Sequence, residues 1–425
     1  MQDTEEQHTT TKHEHAGNTI DMLIGGFGQQ GGGDCLGIDW VRATVPANTP
    51  NHAPTDSSGN IAPTQSSLQH LKAIDIEHRG LLAELPSPTW LMLDNSVVYA
   101  PLEFSNEVVS LKAEEGTDGI HLTPISRVAV DGNTPTHLAL SRDQYGQAHL
   151  IVACYGDGHV CVHPVDSDGH IGDCEQVLTN EGHGPLPAQE CPHAHWILPL
   201  PDGRILTTDL GADQIHIHRW NGNRLDRVSS IECAPGTGPR DLHLLPANNP
   251  KIGWNVAVVD EWSSTVDIYA PEIPASDEDV LSSGFSHVQR LGLDADAADQ
   301  AASLAFVSDA TLTSPSATST TQESAMSTSG YCYVGLRGSD RIVTLRWDGE
   351  QLSYPVQSAT SNTSLTRSFS SGGGRPRHIK AIANLLFVAN QTTGRLNVFR
   401  LNANGEAVSE TEIVVGSPTA IAPII

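Results

Sequence analysis

The stretch GGGRPRHIKAIANLLFVANQTTGRLNVFRL, residues 372–401, decides the fold. It reads as a Pro-Arg-His corner, an alternating apolar run, a polar turn and a second apolar run. Proline presets a turn and cannot sit in mid-ladder, so it marks a strand entrance. Two apolar runs around a polar turn have the pattern of a β-hairpin. Strand and turn chemistry do not explain why Arg377 and His378 stand at that entrance.

The corner recurs. SPTWLML begins at Ser87, TPTHLALS at Thr134, CPHAHWILP at Cys191, GPRDLHLLP at Gly238 and SPTAIAPI at Ser417. The prolines at 88, 135, 192, 239, 376 and 418 are spaced by 47, 57, 47, 137 and 42 residues. A period near 50 with one wide gap signals a repeat architecture. The missing start falls at QAASLAFVSDA from Gln300, which lacks the proline. Two more apolar runs around a polar turn follow each start, as in GRILTTDLGADQIHIHRW from Gly203. No helical period of comparable strength is present.

Six modules result, with fragments at both ends. SPTAIAPII is an opening strand without its module, and TIDMLIGGF and GIDWVRATV are later strands without an opening. Joined, they complete a seventh module and leave no sheet edge open. The expected fold is all-β: a seven-bladed β-propeller of four-stranded antiparallel blades, closed by N- and C-terminal strands that share one blade. Pro418–Ile425 is expected beside Met22–Phe27. Residues 1–18 read as a polar tail and 19–425 as one propeller domain. A Ser/Thr-rich insertion at about 311–330 is expected to be exposed and mobile.

The chain carries 50 acidic against 23 basic residues, a formal charge of −27 over 425 residues. Phosphate-backbone binding needs clustered Lys and Arg, so neither a nucleic acid nor an anionic membrane is an expected partner. Seven scattered cysteines without a Cys-x-x-Cys pair favour reduced thiols and a cytoplasmic setting. The N-terminus has no apolar core of a secretory signal, and no window is apolar enough to span a membrane. GGFGQQGGG lacks the Lys-Ser/Thr and the helix of a phosphate loop, and no cofactor is expected. Oligomeric state is left open.

The modules CPHAHWILPLPDGRILTTDLGADQIHIHRW, GPRDLHLLP with AVVDEWSSTVDIY, YVGLRGSDRIVTLRW and RPRHIKAI resemble the lactonase family of seven-bladed propellers. The resemblance runs over roughly residues 20–425. That family includes propeller-type 6-phosphogluconolactonases and fungal carboxymuconate-lactonizing enzymes. The resemblance implies a carboxylic ester hydrolase whose partner is a small sugar lactone, phosphorylated in the case of 6-phosphogluconolactone of the pentose phosphate route. It implies His195 of PHAH, Arg240 of GPR and Glu261 of DE as the catalytic set. Arg337 of LRG and Arg377 of the last PR are implied as substrate-binding residues. Departures from the family pattern are Asp241 for the His that commonly follows GPR, Leu336 for the Asn before Arg337, and Cys154 in ACY. They bear on specificity.

Opening a lactone is acyl transfer to water, which needs a base and positive donors for the developing oxyanion. His195 suits the base, or simply lines the channel. Glu261 can polarise a water, orient His195 or pair with an arginine. Any single arginine in so acidic a chain defaults to a surface ion pair. Arg240, Arg337 and Arg377 at equivalent blade ends point instead to an anion pocket, for which the planar guanidinium fork is suited. His193 and His378 are further substrate-binding candidates that could equally cap turns. Glu103, in the first blade's counterpart of the Glu261 position, is another. His193, His195, Glu261 and His378 could together hold a divalent ion. Two histidines two apart on a strand do not by themselves converge, and no metal is expected. The alternatives are a non-catalytic ligand- or protein-binding propeller and an enzyme for another lactone.

Overall fold

The computed structural model describes residues 18–45, 73–272, 284–313, 327–356 and 367–424. Seven antiparallel sheets form a ring. Blades 1 to 6 open on the inner strands Met92–Asp94, Pro135–Arg142, Ala194–Pro199, Pro239–Pro246, Ala301–Ser308 and Pro376–Ile382. In each, later strands pair outward in chain order. The missing start is therefore at Ala301, beside the expected Gln300. Blade 7 is split: Pro418–Ile424 pairs antiparallel with Asn18–Gly26, in a register from Asp21↔Ile424 to Gly26↔Pro418. Gly37–Val45 and Asp75–Glu84 complete it.

Blade 5 departs from four strands. Leu352–Ser353 and Ser368–Ser370 both pair with Arg341–Trp347, at opposite ends of it. Two short pieces thus fill one outer position. Of the expected insertion, residues 314–326 lie outside the described residues. Its first residues are not loop: Asp309–Thr313 is a helical turn that buries Leu312. The expected tail also lies outside the described residues up to position 17, and Asn18 already belongs to a strand. Among the described residues no helix is long and apolar enough to cross a membrane.

The core lies between neighbouring blades, where alternating strand residues interdigitate. Leu385, Phe387 and Val398 of blade 6 meet Met22, Val41 and Ile421 of blade 7. Ile151, Ala153 and Val162 of blade 2 meet Ile197, Ile205 and Trp220 of blade 3. A fully buried Val, Leu, Ile, Phe or Met among them contributes about 1.5–3 kcal/mol.

The recurring corner has a specific backbone. Ser87, Thr134, Gly238, Arg375 and Ser417, each directly before a proline, have φ of 53, 58, 63, 56 and 24°. This left-handed kink is costly for any residue but glycine, and at Gly238 a Cβ would also run into Trp262. The preceding blade holds the kink in place. The backbone N–H groups of Thr134, Gly238 and Arg375 donate to Asn106 (2.8 Å), Asp213 (2.8 Å) and Asp340 (2.7 Å). Those three acceptors all sit in the turn before their own blade's third strand.

Candidate active site

Directly after the kink, the inner strands bulge. The register shifts between Pro135 and His137, Pro239 and Asp241, and Pro376 and His378. A bulge leaves one residue unpaired and re-aims its side chain, so two successive residues per blade reach the channel. In blade 3 the shift follows Ala194, not Pro192. His195 is therefore the register equivalent of Thr136, Arg240 and Arg377. These four, with Thr89 and Thr419, line one cavity at the strand starts, and Trp90, His137, Trp196, Asp241 and His378 line it one residue further on. A second ring comes from the ends of the second strands: Glu103 follows Val97–Leu102, Glu261 follows Trp254–Asp260, and Arg337 follows Gly330–Leu336.

The two rings meet in a buried charge network. Arg240 Nη1 donates to Asp241 Oδ1 at 2.6 Å and to the Ala302 carbonyl at 2.7 Å. Its Nε stands 2.9 Å from Glu261 Oε2, a charge pairing whose N–H is not aligned on the oxygen. Arg337 Nη2 approaches the same oxygen at 2.7 Å. Glu261 thus joins two guanidiniums, which hold its carboxyl below the usual range against the opposing effect of burial. Arg377 is less engaged: Nη1 has one long contact, 3.4 Å to Gln391 Oε1, and the guanidinium lies 4.8 Å from the centre of the Phe27 ring. Burial and the neighbouring Arg240 and Arg337 lower it to about 9.

The remaining acids are not secured as anions. Burial pushes Asp241 up to about 7 despite Arg240, and raises Glu103 despite Arg377. His195 is held neutral, well below its ordinary value, by burial first and then by Arg240 and Arg377. Its buried Nδ1 has no hydrogen-bond partner among the described residues and lies 3.7 Å from Asp241 Oδ1, too far for a direct bond. The cavity holds about 30 Å³, room for a water or two.

The structure thus brings His195, Arg240, Arg377, His378 and Glu103 to one cavity, with Glu261 locking Arg240 from the side. Arg337 stands behind Glu261 and off the cavity wall, where it is only 4% exposed. His193 is also off the wall. Its Nδ1 pairs with the Tyr155 carbonyl at 2.7 Å and its ring stacks on Tyr155, so it supports the site rather than facing it. The four residues weighed as metal ligands are not gathered together; His193 instead lies near Glu190 and Cys191. Asp241, His137, Trp90 and Trp196 were not among the sequence candidates. His137 could have been found, because TPTH repeats the Pro-x-His spacing of RPRH.

Comparison with known proteins agrees with this architecture. The sequence model described as "Lactonase, 7-bladed beta-propeller" matches residues 67–423. The 6-phosphogluconolactonase of Bacillus subtilis is 27% identical over 179 residues, covering 39% of this chain and 48% of that protein. An uncharacterized Staphylococcus aureus protein is 28% identical over 204 residues, covering 46% and 55%. The chain spans about half the length of the curated relatives it matches. The periplasmic gluconolactonase of Pseudomonas aeruginosa has a TM-score of 0.70 at 21% identity, covering 96% of this chain and 99% of that one. A Lactobacillus plantarum protein has a TM-score of 0.67 at 18% identity, covering 96% and 100%. At those identities the structural likeness is one of fold. The family match extends over most of the chain and coincides with a closed seven-bladed ring, so the chain belongs to the lactonase family of seven-bladed β-propellers.

Proposed function

We propose that the protein hydrolyses an anionic sugar lactone, with 6-phospho-D-glucono-1,5-lactone the first candidate and 6-phosphogluconate its product. One observation carries this reading. In a chain of charge −27, two guanidiniums, Arg240 and Arg377, line the cavity and a third, Arg337, stands behind them, while Glu261 is the acid of this network held below its usual range. The site has a surplus of positive charge that a phosphate or a developing oxyanion would neutralise. The relatives named as a 6-phosphogluconolactonase and a gluconolactonase fit a sugar lactone as the substrate, the first of them a phosphorylated one.

In the proposed mechanism, the cavity positions a water between His195 Nε2, the ring nitrogen turned away from Asp241, and the carbonyl of a lactone seated at the cavity mouth. His195 takes the water's proton as the new C–O bond forms. Asp241, beside His195, stabilises the imidazolium. Arg240 faces the carbonyl oxygen as it gains charge, while Glu261 fixes the orientation of that guanidinium. The tetrahedral intermediate collapses by breaking the ring C–O bond, and His195 returns the proton to the leaving alkoxide. Arg377, the least engaged cation, takes the phosphate. No step uses a metal or cofactor.

Seven free thiols support a cytoplasmic setting for this chemistry. The direct test is hydrolysis of freshly prepared 6-phosphoglucono-1,5-lactone and of glucono-1,5-lactone, each corrected for spontaneous opening. Enzymatic turnover with preference for the phosphorylated lactone is expected. Preference for the neutral lactone would move the substrate to another lactone. No acceleration of either would revive the binding-scaffold reading.

A further inference from the structure

The channel has a second chamber at its other end. It is formed by the later residues of the same inner strands, holds about 680 Å³, and shares Trp90, His137, Trp196 and His378 with the cavity above. Its size falls in the range of small-molecule sites. The mechanism proposed above uses nothing in it.

Three histidines facing this chamber have their tautomers fixed by neighbouring blades. His137 Nδ1 accepts the backbone N–H of Ile197 at 3.2 Å, and His378 Nδ1 that of Ile421 at 3.0 Å. His243 Nε2 accepts that of Leu304 at 3.4 Å. Burial holds all three rings neutral. In a neutral imidazole with one nitrogen accepting, the other carries the proton. His137 Nε2, His378 Nε2 and His243 Nδ1 are therefore N–H donors, and among the described residues none of them has an acceptor.

Lys380 lines the same chamber, two residues beyond His378 on one strand. Among the described residues no carboxylate pairs with it, and burial alone lowers its ammonium from the ordinary range. An unpaired, desolvated cation is costly to fold. It is all the more conspicuous in a chain with 50 acidic residues. Trp90 and Trp196, with ring centres 4.8 Å apart, supply flat apolar surface at the chamber floor.

We propose that this chamber is a second ligand site, for a small organic carboxylate with a flat apolar body. The ammonium of Lys380 and the imidazole N–H groups hold the carboxylate, and the body packs on Trp90 and Trp196. The site lies back to back with the first and is independent of whether that one hydrolyses lactones.

Calorimetry and tryptophan fluorescence with benzoate, and with benzyl alcohol as its neutral counterpart, test this on the full chain. Benzoate should bind and benzyl alcohol should bind about ten- to a hundredfold more weakly, the range of one charge-assisted contact. Lys380→Met should weaken benzoate by a similar factor, whereas Arg377→Met at the other mouth should leave it within about twofold. Without ligand, Lys380→Met should raise Tm, because it removes an unpaired, partly buried charge. Absence of benzoate binding, equal binding of the alcohol, or loss in Arg377→Met but not in Lys380→Met would overturn the proposal. So would a fall in Tm of unliganded Lys380→Met, which would reveal a protein partner for the ammonium.

Discussion

Two arcs of the corner ring have closely related backbones and opposite chemistry; of the six corners that line the cavity, that of blade 3 lacks the left-handed kink. In blades 3, 4 and 6 the re-aimed residue is His195, Arg240 or Arg377; in blades 1, 2 and 7 it is Thr89, Thr136 or Thr419. The left-handed kink precedes Thr136 and Thr419 as it does Arg240 and Arg377. Corner geometry is thus a property of the propeller, and reactivity is a property of which side chain each blade places there. On this account the basic arc does the chemistry and the threonine arc shapes the cavity.

The sharpest break should come at His195. His195→Ala should lower kcat about a hundredfold or more while changing KM little, because its work lies in the transition state. Steady-state kinetics on the phosphorylated lactone check this. Arg240→Ala comes next, with two effects. Loss of one charge-assisted contact should reduce kcat/KM about ten- to a hundredfold. The change also leaves Glu261 and Asp241 buried with one cation fewer, which should cost about 3–5 kcal/mol of stability in denaturant titrations. Arg337→Ala, off the wall, should act through Glu261 and lose less activity for a comparable loss of stability.

The histidines of the channel predict a pH dependence. His137, His195, His243 and His378 are held neutral by burial, whereas the unfolded chain protonates near pH 6.5. The unfolded state then binds the protons that the folded state refuses, so stability is intact above about pH 6.5 and falls below it. Each histidine contributes about 1.4 kcal/mol per pH unit. Asp241, raised to about 7, acts in the opposite sense: its contribution is lost as pH rises from about 4 to 7. These five groups together predict a loss on the order of 4 kcal/mol per unit below pH 6.5; buried His218 adds to it and the raised Glu103 and Asp260 oppose it, and urea midpoints at pH 7, 6 and 5.5 read the sum. His243→Asn should make that slope shallower by about one histidine's share. The smallest effect should lie in the other arc: Thr136→Val should change kcat/KM by no more than about twofold. Chelator should change nothing.

Blade count and closure were readable because proline punctuation and apolar alternation are local and recur with a period. The site was partly readable. Glu103 and Glu261 do occupy equivalent strand ends, as their sequence positions suggested. His193, a candidate that could equally cap a turn, falls off the wall because in blade 3 the register starts at Ala194, two residues past Pro192. A bulge leaves no mark on a single sequence, so the position of His195 could be assigned only from strand pairing. Arg337 reads like Arg377 in sequence, yet Glu261 draws it behind the wall. Asp241 was visible as a departure, but its role depends on a burial that no residue pattern reveals. The split outer strand of blade 5 was hidden for the same reason, since its two pieces are short and not adjacent in the chain.

The central claim is that a positive arc selects an anionic lactone, and it reduces to one ratio. This is kcat/KM for 6-phosphoglucono-1,5-lactone over that for glucono-1,5-lactone, measured in the wild type and in Arg377→Met. The wild-type ratio should exceed one by about ten- to a hundredfold. Arg377→Met should bring it close to one by slowing the phosphorylated substrate while sparing the other. An unchanged ratio in a folded Arg377→Met protein, or equal turnover of the two lactones by the wild type, would contradict the account.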